Sequence, residues 1–108
     1  MKYLKFAPKH IPAILSGEKT ATWRVFDDKD LTTGDAAAFV NAQTDAIFAY
    51  ALLSSVTEKC IADINEEDWR LQAAVQCSLE ELCSSFSRIY ARPVSPDTRV
   101  KIIIYELQ

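Results

Sequence analysis

Residues 17 to 24, which read GEKTATWR, bring two cationic side chains and two hydroxyl groups into a short stretch. Lys19 and Arg24 stand toward its ends, and Thr20 and Thr22 lie between them. An ammonium and a guanidinium can bind an anion or a carbonyl oxygen, and a threonine hydroxyl can donate or accept a hydrogen bond beside them. Solvated strands also carry charges, so two interpretations are open: these side chains face water, or they converge on a ligand.

The segment before this stretch indicates how it is positioned. Pro8 suits the start of a helix, and the apolar residues Ile11, Ile14 and Leu15 have the spacing of one buried helical stripe. Gly17 is the residue best able to end that helix in the left-handed conformation. A strand is then predicted over residues 18–25.

The side-chain parity of that strand limits which groups can meet. In an ideal strand Thr22 and Arg24 share a face, whereas Lys19 and Thr22 point to opposite faces. Lys19 therefore approaches Thr22 only if it lies in the turn that leaves the helix, or if the strand is bulged there. Gly17 favours the first arrangement.

The rest of the chain predicts a sheet with helices inserted before its last strand. Asn65 and Ser78 have the features of helix N-caps, and residues 99–107 are β-branched enough for an interior strand. The remaining predicted elements are a strand over 2–6, a polar loop over 26–35, and a hairpin of residues 36–42 and 46–56. Strands joined by hairpins rather than by regular helical crossovers favour an α+β fold with a mixed, curled sheet.

The length and composition of the chain indicate which class of protein it is. The chain has 108 residues, of which 49% are hydrophobic and 25% charged, as in a soluble globular protein of one domain. There is no apolar run of the roughly 20 residues that a membrane span requires and no signal peptide, so a cytoplasmic protein without a membrane partner is predicted. A monomer or a weak dimer is expected.

The charge is low overall but unevenly distributed. The net charge is −3, which argues against a protein that holds long nucleic acid by bulk electrostatics. Residues 1–24, however, hold five bases against one acid. Such a local basic patch can still bind a short anionic ligand.

The metal-ligating residues are sparse. The three cysteines have no CxxC spacing, and His10 is the single histidine, so we expect no metal and no cofactor. The acidic run at 27–30 lacks the ligand spacing of a calcium loop and is interpreted as a solvated turn. Cys83 falls on the apolar stripe of a predicted helix and is interpreted as a core residue.

The motif G-x-K-x-x-T-x-R, formed here by Gly17, Lys19, Thr22 and Arg24, resembles that of the ASCH domain family of the PUA-like superfamily. Gly34-Asp35 and the turn SPDT at 95–98 extend the resemblance over almost the whole chain. It implies a single ASCH domain over residues 1–108. The implied fold is a PUA-like open mixed β-barrel of about five to six strands, with two to three helices at the rim and a cleft beside the motif.

The resemblance also implies two possible activities. ASCH proteins are thought to bind RNA or to act on modified nucleosides, and some are amidohydrolases that deacetylate N4-acetylcytidine. In those enzymes the motif lysine and threonine, here Lys19 and Thr22, are catalytic together with a glutamate from the helical region. A neutral Lys19 could take the proton of Thr22, whose hydroxyl would then attack an amide carbonyl.

The glutamate is where this sequence departs from the family. The comparable stretch is RLQAAVQCSLEEL, and the alignment places Ala73 or Val75 at the position of the acid. Glu67, Asp68 or Glu80 could substitute from nearby, although each is more simply an exposed helix acid or a cap. The missing acid weakens the hydrolase interpretation and leaves the binding interpretation intact.

Two aromatic residues are further candidates for the ligand site. Tyr50 lies on the long hairpin strand, from which its hydroxyl could face the cleft. Trp69 is a candidate rim aromatic, although packing of its helix against the sheet explains it equally well. Trp23 has the parity opposite to that of Thr22 and is interpreted as part of the barrel wall.

The sequence thus predicts a cleft that is lined by Lys19, Thr22 and Arg24, with Tyr50 and Trp69 nearby, and that binds RNA or a small nucleoside ligand. The alternative is an amidohydrolase with Thr22 as nucleophile and Lys19 as base. A third possibility is a protein-interaction domain that keeps the fold without the ligand.

Overall fold

A mixed sheet of five strands organises the chain in the computed structural model, which describes residues 1–27 and 29–108. The strand order is β1-β3-β4-β5-β2. β1 pairs with β3 in parallel, and the other neighbours are antiparallel. The strands are β1 Lys2–Phe6, β2 Ala21–Val25, β3 Ala36–Asn41, β4 Ile47–Cys60 and β5 Arg99–Leu107.

Three α-helices lie between the strands: α1 Ile11–Ser16, α2 Glu66–Gln72 and α3 Leu79–Tyr90. Short 3₁₀ turns at Pro8–His10 and Ile61–Asp63 precede α1 and α2. The predicted α+β fold, with a mixed half-barrel sheet and three helices, is confirmed. β5 is an interior strand, as its β-branched sequence predicts, and β4 runs four residues beyond its predicted end at residue 56.

The sheet separates two apolar clusters. The first packs on one face of the sheet and includes Leu4, Phe39, Leu53 and Ile103, each with no exposed surface. The second lies between the sheet and helices α2 and α3; its members include Trp23, Trp69, Leu82, Phe86 and Ile102. Because successive side chains on β2 alternate between the two faces, Trp23 joins the second cluster while Thr22 and Arg24 point the other way.

The helix caps are those that the sequence indicates. The Asn65 side chain accepts a hydrogen bond from the backbone N–H of Asp68. The Asp68 carboxylate in turn accepts one from the backbone N–H of Asn65, which completes a capping box. Ser78 accepts from the backbone N–H of Glu81 at the start of α3. These caps fix where α2 and α3 begin over the sheet.

Strand β2 begins later than predicted, at Ala21 rather than at residue 18. Gly17 ends α1 with φ of +83°, and residues 18–20 form a turn between α1 and β2. The parity conflict between Lys19 and Thr22 is therefore resolved by the turn, and no bulge in β2 is needed.

Within residues 1–27 and 29–108, no helix is long and apolar enough to cross a membrane. Among the same residues, no three histidine, cysteine or carboxylate side chains converge as a metal site. The acidic run at 27–30 includes Asp28, which lies outside the described residues. Asp27 is not solvated as predicted: its side chain is about 10% exposed and lies 3.9 Å from the Lys101 ammonium.

Gly17→Ala tests the turn. The Cβ would meet no neighbouring atom, so the cost is that of placing a non-glycine residue at φ of +83°, about 1–2 kcal/mol of unfolding free energy. Urea denaturation measures this loss. Gly17→Asn is the matched control and should lose less, because asparagine tolerates the left-handed region. Equal stability of Gly17→Ala and the wild type would contradict the assigned turn.

Candidate functional site

The three motif residues line one pocket of about 210 Å³ at the edge of the sheet. Lys19, Thr22 and Arg24 come from the turn and from β2, and Gln72 comes from the end of α2. The rest of the wall is formed by Lys5, Phe6, Ala7, His10, Trp23, Phe86, Ile89 and Tyr90. The pocket is thus apolar on several sides, and its polar groups are mostly cationic or neutral.

Lys19 is held rigidly by backbone contacts from two helices and β5. Its N–H donates to the carbonyl of Ala13 in α1 (3.0 Å), and its carbonyl accepts from the Tyr105 hydroxyl of β5 (2.6 Å). The next residue, Thr20, donates its N–H to Leu71 of α2 (2.9 Å). The turn can therefore hardly shift without breaking contacts to three other elements.

The side chain of Lys19 is buried, with about 5% of the residue exposed, and its partner is neutral. The ammonium donates to the Gln72 side-chain Oε1 at 2.6 Å and to the Gln72 carbonyl at 3.3 Å. Burial, and to a smaller extent the charge of Arg24, lowers the pKa of Lys19 to about 8. At pH 7 Lys19 is thus still mostly charged, but it loses its proton more readily than an ordinary lysine.

Arg24 closes another side of the pocket. Its Nη2 donates to the Lys5 carbonyl at 2.9 Å, and its guanidinium lies 4.7 Å from the centroid of the Phe6 ring. Its Nε is buried and has no hydrogen-bond partner within the described chain. Burial lowers the pKa of Arg24, but the group stays charged at ordinary pH.

Thr22 is buried on the same face as Arg24, with about 5% of the residue exposed. Within residues 1–27 and 29–108 its hydroxyl has no hydrogen-bond partner, so it is free to bind a ligand group. His10 also lines the pocket, and burial together with the charges of Lys19, Lys9 and Arg24 lowers its pKa. Nothing in the sequence placed His10 in the same pocket as Lys19.

Gln72 is the site residue that sequence reasoning missed. Ala73 or Val75 was expected at the position of the family's acid, but Ala73 ends α2 in a left-handed conformation and Val75 is 92% exposed. The side chain that reaches the lysine from the end of α2 is instead Gln72, one position earlier. The signal that could have identified Gln72 is that it is the last polar residue before α2 ends.

None of the three nearby acids that could replace the glutamate lines the pocket. Glu67 is exposed and forms an ion pair with Arg70. Asp68 caps α2 and pairs with Lys59 at 2.7 Å, and Glu80 lies in the exposed first turn of α3. Among the described residues, the group beside Lys19 is an amide and not a carboxylate.

The structure does not bring the two further aromatic candidates to the pocket. Trp69 packs edge to face on Trp23, with ring centroids 4.8 Å apart, because α2 lies on the outer face of the sheet. Tyr50 is about half exposed on the opposite face of β4, since its neighbours Ala49 and Ala51 face the first apolar cluster. Neither residue therefore lines this pocket: packing accounts for the position of Trp69, and strand parity turns Tyr50 away.

Lys19→Met tests the burial of the ammonium. The pKa of Lys19 is about 8 in the folded state, below the ordinary 10.5. Between pH 8 and pH 10.5 the unfolded chain therefore binds more protons than the folded chain. The contribution of Lys19 to the free energy of unfolding rises with pH in that range. Unfolding free energies by urea titration should show that Lys19→Met removes this rise and is more stable than the wild type at pH 7, by about 1–3 kcal/mol. An unchanged pH slope would contradict the lowered pKa. Lys5→Met, at a largely exposed position, should leave the slope as it is.

Comparison with known proteins identifies the fold. No family model and no curated protein matches the chain. Among solved structures, it is similar to a protein of family DUF984 from Enterococcus faecalis V583, with a TM-score of 0.78 and 16% identity over 100% of this chain and 76% of that one. The ASCH domain from Lactobacillus crispatus JV V101 has a TM-score of 0.74 and 12% identity, covering 98% of this chain and 79% of that one.

A third similar structure is ASCH from Zymomonas mobilis, with a TM-score of 0.69 and 10% identity over 96% of this chain and 65% of that one. The chain therefore spans about two thirds of the length of that protein. At these identities the likeness is one of fold, and it agrees with the resemblance carried by the G-x-K-x-x-T-x-R motif. The chain has the fold of the ASCH domain proteins.

Proposed function

We propose that the pocket around Lys19 binds a nucleoside or a short segment of RNA. The observation that carries the proposal is the convergence of Lys19, Thr22, Arg24 and Gln72 on one partly apolar pocket. Ammonium, guanidinium, hydroxyl and amide groups together match the donors and acceptors on the edge of a nucleobase. The ASCH fold and the motif resemblance point to the same class of ligand.

The dimensions of the pocket favour a single base. At about 210 Å³ it is below the roughly 300–1,000 Å³ typical of pockets for drug-sized ligands. Phe6, Phe86 and Tyr90 line it and can contact the face of a base. Most of the binding energy would then come from stacking and edge contacts, which is compatible with a net charge of −3.

Thr22→Val tests the binding proposal. Valine keeps the shape and strand preference of threonine and removes only the hydroxyl, so affinity for cytidine should fall about twofold to tenfold, the value of one neutral hydrogen bond. Isothermal titration calorimetry with cytidine, N4-acetylcytidine and a short single-stranded RNA measures it. Thr57→Val, at an exposed threonine of β4 outside the pocket, is the matched control and should bind as the wild type does. Failure of the wild type to bind any of these ligands would overturn the proposal.

A second candidate, amidohydrolysis, is favoured by the lowered pKa of Lys19. The neutral amine would take the proton of the Thr22 hydroxyl as its oxygen attacks the acyl carbon of N4-acetylcytidine. Cytidine would leave with a proton, and water would then release acetate from the acylated threonine. The Lys19 ammonium formed in this way would have to return the proton to the leaving nitrogen, because the Gln72 amide beside it cannot donate one as an acid.

Incubation with N4-acetylcytidine, followed by chromatographic separation of cytidine, distinguishes the two functions. We expect the wild type to release no more cytidine than Lys19→Ala, and Gln72→Glu to release more than either, because a carboxylate there can itself take a proton as base and return it to the leaving nitrogen while Lys19 stays charged. Gln72→Asn, which keeps an amide, is the control for altered packing. Cytidine released by the wild type and not by Lys19→Ala would instead establish the hydrolase with the residues that the pocket already has.

A further inference from the structure

The pocket carries positive charge that the described chain does not neutralise. Lys5, His10, Lys19 and Arg24 line it, and among residues 1–27 and 29–108 no carboxylate does. Lys5 forms an ion pair with Asp45 at 3.3 Å, but both side chains are largely exposed at the surface. Lys19 and Arg24, the two most buried of these cations, have no ion-pair partner within the described residues.

The nearest described carboxylate does not enter the pocket. Asp27 raises the pKa of Arg24 and so lies within its electrostatic reach, but it lines a separate cavity on another side of Arg24, next to Lys101. Inside the pocket the basic groups instead act on one another. The pKa of Lys19 is lowered in part by Arg24, and that of His10 by both.

Such a cluster costs stability, because each buried cation loses hydration without gaining an opposite charge. The cost is offset when an anion enters and pairs with several of them at once. One unused donor is in place for this. The Gln72 side-chain NH₂ makes no hydrogen bond within the described chain, and its Oε1 is the atom that accepts from Lys19. The Arg24 Nε also lacks a partner there, but it is enclosed, so Arg24 acts on an anion mainly through its charge.

We infer that the pocket recognises its ligand through an oxyanion, specifically the phosphate monoester of a nucleotide, which sits between Lys19 and Arg24. The inference deepens the proposed function and rests on it. Lys19 and Arg24 neutralise the phosphate, and the Gln72 amide donates to one of its oxygens. A carboxylate at residue 72 would repel the phosphate and pair with Lys19, so the neutral amide is the side chain that such a ligand requires.

The experiment compares cytidine, cytidine 5′-monophosphate and inorganic phosphate by isothermal titration calorimetry at constant ionic strength. The nucleotide should bind at least about tenfold more tightly than cytidine, as expected for one charge-assisted hydrogen bond or more. Inorganic phosphate should compete with the nucleotide. Raising the salt concentration should weaken nucleotide binding and leave cytidine binding nearly unchanged.

Two variants locate the phosphate. Arg24→Gln and Gln72→Glu should each reduce the preference for nucleotide over nucleoside about tenfold, and the second is nearly isosteric, so it tests charge with little change in packing. Arg88→Gln, at an exposed arginine of α3 that does not line the pocket, should keep the full preference. Thermal unfolding of each variant checks that it is folded.

The outcomes separate the inference from the proposed function. Equal affinity for cytidine and its monophosphate would overturn the inference and leave nucleoside binding in place. Binding of inorganic phosphate with no gain from the nucleoside would overturn both the nucleotide assignment and the proposed function. An unchanged preference in both Arg24→Gln and Gln72→Glu would show that the phosphate lies elsewhere and would equally overturn the inference.

Discussion

The hydrogen bond between the buried Lys19 ammonium and the Gln72 side chain is the interaction on which the character of the pocket depends. At 2.6 Å it satisfies the lysine without neutralising it. A carboxylate in that place would have stabilised the charged form and held the pKa of Lys19 high. With an amide, burial and the charge of Arg24 act unopposed, and Lys19 is a cation without a counter-charge that gives up its proton more readily than an ordinary lysine.

The scaffold keeps that interaction in place through contacts that are independent of the side chain. α1, α2 and β5 each bind the backbone of the turn at residues 19 and 20, and Gly17 supplies the left-handed conformation from which the turn starts. α2 is itself fixed by its capping box and by the ion pair of Asp68 with Lys59. Several hydrogen bonds therefore hold the backbone around Lys19, although burial of its ammonium is unfavourable. This combination is common at functional sites.

The residues of the pocket are compatible with both ligand binding and amide hydrolysis. A lysine with a lowered pKa and a threonine hydroxyl in the same pocket are two of the groups that a Lys/Thr hydrolase needs. A cluster of cations without a described carboxylate is the arrangement an anion-binding pocket needs. Residue 72 bears on both, because a carboxylate there could share the proton transfer with Lys19, whereas an amide leaves the positive charge of the pocket available to an anion.

Much of this protein was determined by sequence alone. Hydrophobic periodicity, capping residues and the turn glycine were sufficient for the α+β fold, for most of its elements and for the face shared by Thr22 and Arg24, because these depend on neighbours in the chain. The tertiary structure decided the rest. Gln72 and His10 reach Lys19 from other elements, Trp69 is buried by the packing of α2, and Tyr50 is turned outward by the parity of β4. Which side chains face Lys19 in the pocket depends on how the helices pack on the sheet. A local sequence pattern does not contain that information.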